Sequence, residues 1–494
     1  MPLRKTDGFL LSAHSRMSVM TTETEKATAS PAGADEKAGR NTSRAILGQR
    51  FTIAGQLRFA FPRMMMSLFI MSYMVADGAL ITRYLGTDAL AALNLVWPLS
   101  AVIMAFGVLF SAGGGSVLSR RLGAGRHEAA DSALSTIFFA VFLLGTILAL
   151  LGLALLDPVL AFLGIGPAEA ALAAEYQKTA LIGTPILFMS VAAQTFFTTA
   201  GFPKIGLAAS VASGLTNVVL DILFMGPFGM GMMGAALATV ISWVVCAATG
   251  IIFFARKGSP VRLRFPRLEW KALRNAAGSG TAEMVTSLSH AVTLFLFNAA
   301  FLKHLGIDGV AALTVAGYST YVFNSVFYGF CEATAPIIGF KYGAGDWTEL
   351  ARIFRHSLLI MAGFGVIAYG SAVVFAEPVL AFFVDRGTPV FTLVLENFAL
   401  YAISLLFLCP NMFAAYFFTA FGDGKRAAAI SFCRTFVFMA ASIEILPQFL
   451  GDLGLWLSVP AAEILAFCVS VFFIVRNRRR YGYDGSPALK IIEA

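Results

Sequence analysis

The chain has 494 residues, of which 58% are hydrophobic and only 13% charged, and its mean hydropathy is +0.78. A soluble core cannot bury that much apolar surface, which argues against a soluble multidomain protein and for a chain solvated largely by lipid. The net charge of +8 does not indicate a nucleic-acid partner, because the basic residues lie in short blocks between apolar runs rather than on one polar face.

Residues 1–50 precede the first apolar run and mix Thr, Ser, Ala, Lys and Glu. No apolar stretch in this segment is followed by a small-residue cleavage site, so we predict no cleavable signal peptide. The composition is typical of disorder, and we expect a disordered cytoplasmic N-terminal tail.

Twelve apolar segments follow, and a membrane-spanning helix needs roughly 20 mainly apolar residues. They lie at approximately 58–80, 92–117, 132–156, 175–200, 206–226, 232–255, 278–302, 311–338, 353–376, 391–420, 427–448 and 453–475. We therefore expect an all-α polytopic membrane protein. Its predicted units are an N-lobe of six helices at 51–255, a basic linker at 256–274, a C-lobe of six helices at 275–476 and a cytoplasmic tail at 477–494.

Lys and Arg residues are distributed unequally between alternate loops. If the N-terminus is inside, the inner loops carry 20 of them and the outer loops carry only Arg83, Lys303 and Arg386. Because positive residues accumulate in short cytoplasmic loops, we predict that both termini are cytoplasmic. The expected location is the bacterial inner membrane.

An internal repeat relates the two halves at an offset of 220 residues. LGTDALAAL at 85–93 matches LGIDGVAAL at 305–313, GAG at 123–125 recurs at 343–345, and DPVLAF at 157–162 recurs as EPVLAF at 377–382. Transporters built from parallel repeats place the solute site between the halves near mid-membrane. The repeat alone, however, indicates a duplicated scaffold and does not establish transport.

Within the first half, Gly113-Gly114-Gly115 predicts bending or close helix packing rather than a phosphate loop.

Two acidic residues lie inside predicted spans of the first half. Asp77 is in the first span, Asp221 is in the fifth, and Asn217 lies one helical turn before Asp221 on the same face. An acid inside a span costs about 2.5–3.5 kcal/mol on insertion scales, so each is a functional candidate. If the two spans meet, the carboxylates could hold a proton, or a sodium ion with neutral oxygens from Asn217 and Thr239. The alternative is a structural polar clamp between helices.

Other candidates are less specific. Glu283 and Glu332, in the seventh and eighth spans, could attract a cationic solute to the cavity or could bond to a neighbouring helix. Neither occupies the repeat equivalent of Asp77, which is Phe297, so the coupling machinery looks asymmetric. Met74, Phe196 and Phe197 could line an adaptable apolar cavity, although core or lipid packing is the plainer interpretation.

In this order the motifs resemble the multidrug and toxic compound extrusion (MATE) transporters, within the wider group that includes lipid and polysaccharide flippases. The likeness covers residues 55–475 and depends on Asp77, the segment at 85–92, GAG at 123–125, Gly201-Phe202-Pro203, Asn217-x3-Asp221, and Gly231-x2-Gly234-Ala235-Ala236-x2-Thr239. It implies a V-shaped pair of six-helix bundles acting as an antiporter driven by H⁺ or Na⁺. It also implies cation-site roles for Asp77, Asn217, Asp221 and Thr239, with Tyr73 and Tyr176 as neighbours.

One branch of that family adds a carboxylate in the seventh helix, which Glu283 resembles. The same branch has an Asp in the tenth helix, but the stretch around Cys409-Pro410-Asn411 offers none. This difference shifts the expected coupling site to the N-lobe.

We therefore predict a secondary antiporter that exports bulky lipophilic, cationic solutes in exchange for H⁺ or Na⁺. It is expected to act as a monomer in membrane lipid, without a cofactor, since no ATP-binding signature is present. A flippase for a lipid-linked precursor is the nearest alternative, but it would favour basic residues in the cavity, which we do not expect within the spans. A channel lacks a repeated filter, and an enzyme lacks a nucleophile-base pair or HExxH.

Overall fold

The computed structural model describes residues 31–162, 166–265 and 268–489, and within these ranges it contains helices and no strands. In chain order the helices are α1 Pro31–Gly48, α2 Ile53–Leu85, α3 Thr87–Gly123, α4 His127–Phe162, α5 Pro167–Ile182, α6 Thr184–Thr199, α7 Pro203–Met225, α8 Gly231–Ala255, α9 Trp270–Ala344, α10 Trp347–Val374, α11 Ala376–Phe383, α12 Pro389–Ala402, α13 Ser404–Ala420, α14 Gly424–Phe432, α15 Phe438–Leu450 and α16 Asp452–Tyr481. A π-helical turn at Cys433–Val437 joins α14 to α15.

The described helices form twelve spans. The 75-residue α9 is two spans, because Gly306 interrupts it with φ 68° and ψ −157°. Two other spans are bent pairs, α5 with α6 at 58° and α12 with α13 at 46°, and α14 to α15 form one span. The predicted all-α, twelve-helix, two-lobe architecture is confirmed, and most helices extend several residues beyond the predicted apolar cores.

The 220-residue repeat is visible in the backbone. The break between α2 and α3 at Gly86 recurs at Gly306, and the bend after α5 at Gly183 recurs at Ile403. Paired glycines also share positive φ angles, which favour a residue without a Cβ: Gly125 (71°) with Gly345 (70°), and Gly231 (60°) with Gly451 (58°). The same chain path is therefore used twice, once per lobe.

The lobes pack tightly at one end of the molecule, which we call the linker end: it carries α1, residues 256–265 and 268–269, and the end of α16. Here α3 of the N-lobe crosses α9 of the C-lobe. A Cβ atom on Gly123 would lie 1.9 Å from the carbonyl oxygen of Phe340, and one on Gly343 would lie 2.1 Å from that of Arg120. Gly113 makes a similar contact of 1.8 Å with Ala276, as the predicted close packing requires. These backbones touch because their glycines have no side chain.

The opposite end is open around the repeat-related breaks. Apart from the adjoining backbone, no heavy atom of the described residues lies within 4 Å of the Cβ positions built on Gly86 and Gly306. The close backbone contacts between the lobes described above therefore lie at the linker end.

Helix α1 corrects part of the prediction of a disordered tail at residues 1–50, of which 1–30 lie outside the described residues. Gly39, Ser43 and Leu47 are spaced by four and are buried on one face of α1. Ser43 Oγ donates a hydrogen bond to the carbonyl oxygen of Ala200 at 2.8 Å. This ordering depends on contacts with distant residues, which composition does not reveal.

The segment that leaves α1 is bound to the C-lobe. Lys341 Nζ donates to the Gly48 carbonyl at 2.7 Å, and the Phe51 amide donates to Glu349 Oε1 at 2.8 Å. Residues 39–51 therefore bridge both lobes, and we call them the strap.

The linker is also anchored. The buried Asp131 of α4 accepts a bond from the Arg262 amide at 2.8 Å and forms ion pairs with Arg264 and with Arg40 of the strap, at 3.1 and 3.3 Å. The predicted boundaries shift slightly, because α9 already begins at Trp270, within the predicted linker 256–274. At the predicted tail 477–494, α16 continues to Tyr481, whose ring is buried and stacks on Phe421.

Arg121 and Glu269 close the seam beside the linker. Arg121, near the end of α3, donates to the two carboxylate oxygens of Glu269 at 2.8 and 2.5 Å. Glu269 immediately precedes α9, so this bidentate pair joins the two lobes. The hydrogen bonds from Arg121 hold the pKa of the Glu269 carboxyl below its usual range.

Candidate functional site

Asp77 and Asp221 meet inside the N-lobe, as the sequence predicted they would if α2 and α7 came together. The two side chains are close enough for their carboxyl groups to interact. Gly214, two turns before Asp221, allows this approach, because a Cβ there would lie 2.5 Å from the Phe69 ring and 2.9 Å from the Tyr73 ring of α2. Asp221 is fully buried and Asp77 partly so.

Neutral oxygen groups complete the cluster. Asn217 Nδ2 donates to Thr239 Oγ1 of α8 at 3.3 Å, and Thr239 Oγ1 donates to the Ala235 carbonyl at 3.1 Å. Tyr176 of α5 lies beside Thr239 and close to both carboxylates, and Tyr73 lies one turn before Asp77. The structure therefore brings together all six residues that were predicted as a cation site.

Several oxygens of this cluster lack a donor. Asp77 Oδ1, both carboxylate oxygens of Asp221 and Asn217 Oδ1 are buried and have no hydrogen-bond partner among the described residues. Buried polar atoms are almost always hydrogen-bonded, so such a group of acceptors needs an explanation. Four buried acceptors without donors fit a site that takes up a positively charged species, either a proton shared between the carboxylates or a hard metal cation.

The C-lobe has no copy of this cluster. The residues 220 positions after Asp77, Asn217, Asp221 and Thr239 are Phe297, Val437, Ala441 and Val459. All four are apolar, so the chemistry of the two lobes differs although their backbones repeat.

The C-lobe acids have different partners. Glu283, in the first half of α9, is buried and accepts a hydrogen bond from the Tyr416 hydroxyl at 2.9 Å. Glu332, in the second half of α9, forms an ion pair with Arg63 of α2 at 2.6 Å. Glu332 also lines a narrow cavity between the lobes, whereas Met74 is exposed on α2.

Phe196 and Phe197 do not line the cavity, and the plainer of the two interpretations, core packing, describes both. Both side chains are fully buried in the N-lobe core, where Phe196 packs on Phe138 at 5.4 Å and Phe197 stacks on Phe254 at 5.5 Å. In a helix that is apolar on every side, the sequence does not distinguish a core-facing ring from a cavity-facing one.

The expectation that the spans carry no basic residue is wrong. Arg63 lies in α2, and Arg434 lies in the π-helical turn, where its Nε donates to Glu463 Oε1 at 2.9 Å. Both arginines fall within the predicted spans 58–80 and 427–448 and could have been found there, but each is neutralised by a carboxylate. The buried pair Arg434–Glu463 also explains why Asn411 sits in this region, since Asn411 Nδ2 donates to Glu463 Oε2 at 2.7 Å.

Comparison with known proteins agrees with this architecture. The MatE family profile matches residues 62–223 and 284–442, which together exceed half of the chain. The chain is 23% identical over 441 residues to the multidrug export protein MepA of Staphylococcus aureus, covering 88% of this chain and 96% of that one. It is 24% identical over 444 residues to MepA of Staphylococcus saprophyticus, with the same coverage of both chains.

Solved structures show the same fold. A multidrug resistance MATE family transporter of the MOP superfamily, in an outward-facing conformation, superposes with a TM-score of 0.83 at 22% identity and covers 88% of this chain and 98% of that one. A MOP superfamily transporter of Pyrococcus furiosus, described as having a binding pocket of reverse polarity, has a TM-score of 0.82 at 22% identity, with 88% and 98% covered. The chain belongs to the multidrug and toxic compound extrusion family of membrane transporters.

Proposed function

We propose that this protein is a secondary antiporter that exports bulky lipophilic cations in exchange for H⁺ or Na⁺. The observation that carries the proposal is the cluster around Asp77 and Asp221. Four buried oxygens of Asp77, Asp221 and Asn217 lack a hydrogen-bond donor there. Family membership supports export of organic solutes, because the curated relatives are named multidrug export proteins.

The proposed orientation places the linker end in the cytoplasm of a bacterial cell, with the protein in the inner membrane. The support is the excess of Lys and Arg in the loops at this end. In this orientation the seam between the lobes is closed towards the cytoplasm. We expect the transporting unit to be a monomer, because the two lobes of one chain enclose a cavity by themselves.

The ion would act through α2. This helix carries Asp77 in the cluster, and about 20 Å earlier along its axis it carries Arg63 at the seam between the lobes. Neutralising the paired carboxylates removes their mutual repulsion and changes how α2 packs on α7. Because the same helix contacts the C-lobe, a change in its packing biases the lobes between the two openings.

The solute would meet the C-lobe carboxylates. Glu332 borders the cavity between the lobes, and Glu283 lies behind it with the Tyr416 hydroxyl. Arg63 and Arg434, which lie inside predicted spans, are both paired with carboxylates. No unpaired basic group at these two positions is therefore available for the phosphates of a lipid-linked precursor.

The test is efflux from proteoliposomes with the pH gradient and the sodium gradient imposed separately. Export of a lipophilic cation driven by one gradient supports the proposal, and Asp77→Asn should abolish it while leaving folded protein in the membrane. Undiminished efflux by Asp77→Asn would refute the role of the cluster. Asp157→Asn, an exposed acid outside the cluster, is the matched control.

A further inference from the structure

Arg63 is the charged group of α2 that crosses the seam. Its Nε lies 2.8 Å and a terminal nitrogen 2.6 Å from Glu332 Oε2. The side chains are only 8% and 16% exposed, so this is a largely buried pair between the lobes. Arg63 also donates to the Gln194 carbonyl at 3.3 Å, which belongs to its own lobe.

The C-lobe surface that Arg63 covers has the chemistry of a cation site. Glu332 and Glu283 are close enough for their charges to interact. The rings of Tyr328 and Tyr416 pack edge to face at 5.8 Å beside them. Two carboxylates with two phenol rings suit an organic cation, which gains from both opposite charge and aromatic faces. In the closed structure the guanidinium of Arg63 occupies the place of such a cation.

If the linker end opened, Arg63 and Glu332 would separate, and only Arg63 would keep other partners. Arg63 would remain with Gln194 and the Met66 sulfur, both in the N-lobe. Glu332 has no second basic partner among the described residues, so it would be left facing the cavity without a counter-charge. A narrow cavity already adjoins the pair and is lined by Arg63, Ala112, Gly115, Thr195, Glu332 and Tyr416.

We infer that Arg63 is a tethered competitor of the cationic cargo for Glu332. When the linker end is open, the cargo binds Glu332. When the lobes close, the Arg63 guanidinium takes the carboxylate and the cargo is released towards the opposite side. Arg63 would thereby set the affinity for cations without touching the ion cluster. The inference rests on the proposed function, because it assumes that the cargo is cationic.

The experiment measures binding of tetraphenylphosphonium to the purified full-length protein by equilibrium dialysis, with tetraphenylborate as a probe of the same shape and opposite charge. Removing the competitor by Arg63→Gln should tighten tetraphenylphosphonium binding about tenfold, because the binding-competent state is no longer blocked. The same change should weaken tetraphenylborate binding. Glu332→Gln, alone or with Arg63→Gln, should lose most of the tetraphenylphosphonium affinity. Arg58→Gln, an exposed arginine on the same helix, should resemble the wild type.

Arg63→Lys provides a second variant if the glutamine form does not fold. Lysine keeps the charge but not the paired donors of the guanidinium, so it should compete less well and tighten binding about threefold. Unchanged or weaker tetraphenylphosphonium binding in both folded variants would overturn the inference. Equal tightening for both probes, or for Arg58→Gln, would overturn it as well.

Efflux separates this inference from the proposed function. The wild-type protein should export tetraphenylphosphonium on an ion gradient, and Arg63→Gln should export it more slowly because release is no longer assisted. Failure of the wild type to export on either gradient defeats the proposed function. Export by the wild type together with normal binding and export by Arg63→Gln defeats only the role of Arg63.

Discussion

Gly123 and Gly343 are equivalent residues of the two repeats, and each lies against the backbone of the other's helix. The carbonyl oxygens that they meet belong to Arg120 and Phe340, which are themselves 220 residues apart. The seam at the linker end is therefore a pseudo-twofold crossing, and its closest contacts have no room for a side chain.

Gly343→Ala is expected to prevent full closure of the linker end. The added methyl group would lie 2.1 Å from the Arg120 carbonyl oxygen. A backbone oxygen can move away only if its whole helix moves. Overpacking of this kind should destabilise the closed form by about 1–3 kcal/mol relative to the open form. Distances between spin labels on the ends of α3 and α9 should lengthen. Gly363→Ala, where no heavy atom lies within 4 Å, is the control, and identical distance distributions in both variants would contradict the expectation.

Asp221→Asn is expected to stabilise the protein while stopping transport. Both oxygens of Asp221 are buried without donors, and an amide supplies two N–H groups to the neighbouring acceptors while removing a charge. The gain should be about 1 kcal/mol, seen as a melting temperature a few degrees higher in detergent. Gradient-driven efflux should fall to background. A melting temperature that drops, as after disruption of a satisfied structural clamp, would favour the alternative role for this residue.

Glu269→Gln is expected to weaken closure in a pH-dependent way. The pKa of Glu269 is depressed in the folded state, so the stabilisation from Arg121 is present at neutral pH and is lost as the pH falls through the depressed value. At pH 7 the variant should therefore open the linker end more often, as read from thiol labelling in the seam. As the pH falls through the depressed pKa of Glu269, the variant should differ less from the wild type. A difference that persists unchanged in acid, or one that Glu128→Gln shares, would count against this pair as the cause.

Leu47→Asp is expected to release the strap. Leu47 is fully buried against the lobes, so a charge there disfavours docking of α1, whereas Ala45→Asp places the same charge on the exposed face. Trypsin should then cut at Arg44 and Arg50 several-fold faster in the first variant than in the second. Equal cleavage rates would show that α1 is not held by this face.

Hydropathy is sufficient to predict the twelve spans, because each is long and apolar. The repeat can be recognised in the sequence because its glycines and acidic turns keep one register. Asp77 and Asp221 could be found because acids are rare and costly within spans. The strap could not be found, since Ser43 and Leu47 are held by partners more than 100 residues away, such as Ala200. Arg63 was overlooked because its pairing with Glu332 depends on how the lobes meet.

The proposed ion site lies in one lobe, which limits the stoichiometry of the proposed transport cycle. Only two carboxylates share the cluster, and their C-lobe counterparts are Phe297 and Ala441. Duplication of the bundle therefore did not duplicate this pair of carboxylates. If the cluster couples transport as proposed, it can exchange at most two protons, or a single sodium ion held by both acids, per turnover. The electrical work that this cluster can draw from the membrane potential is bounded by that number.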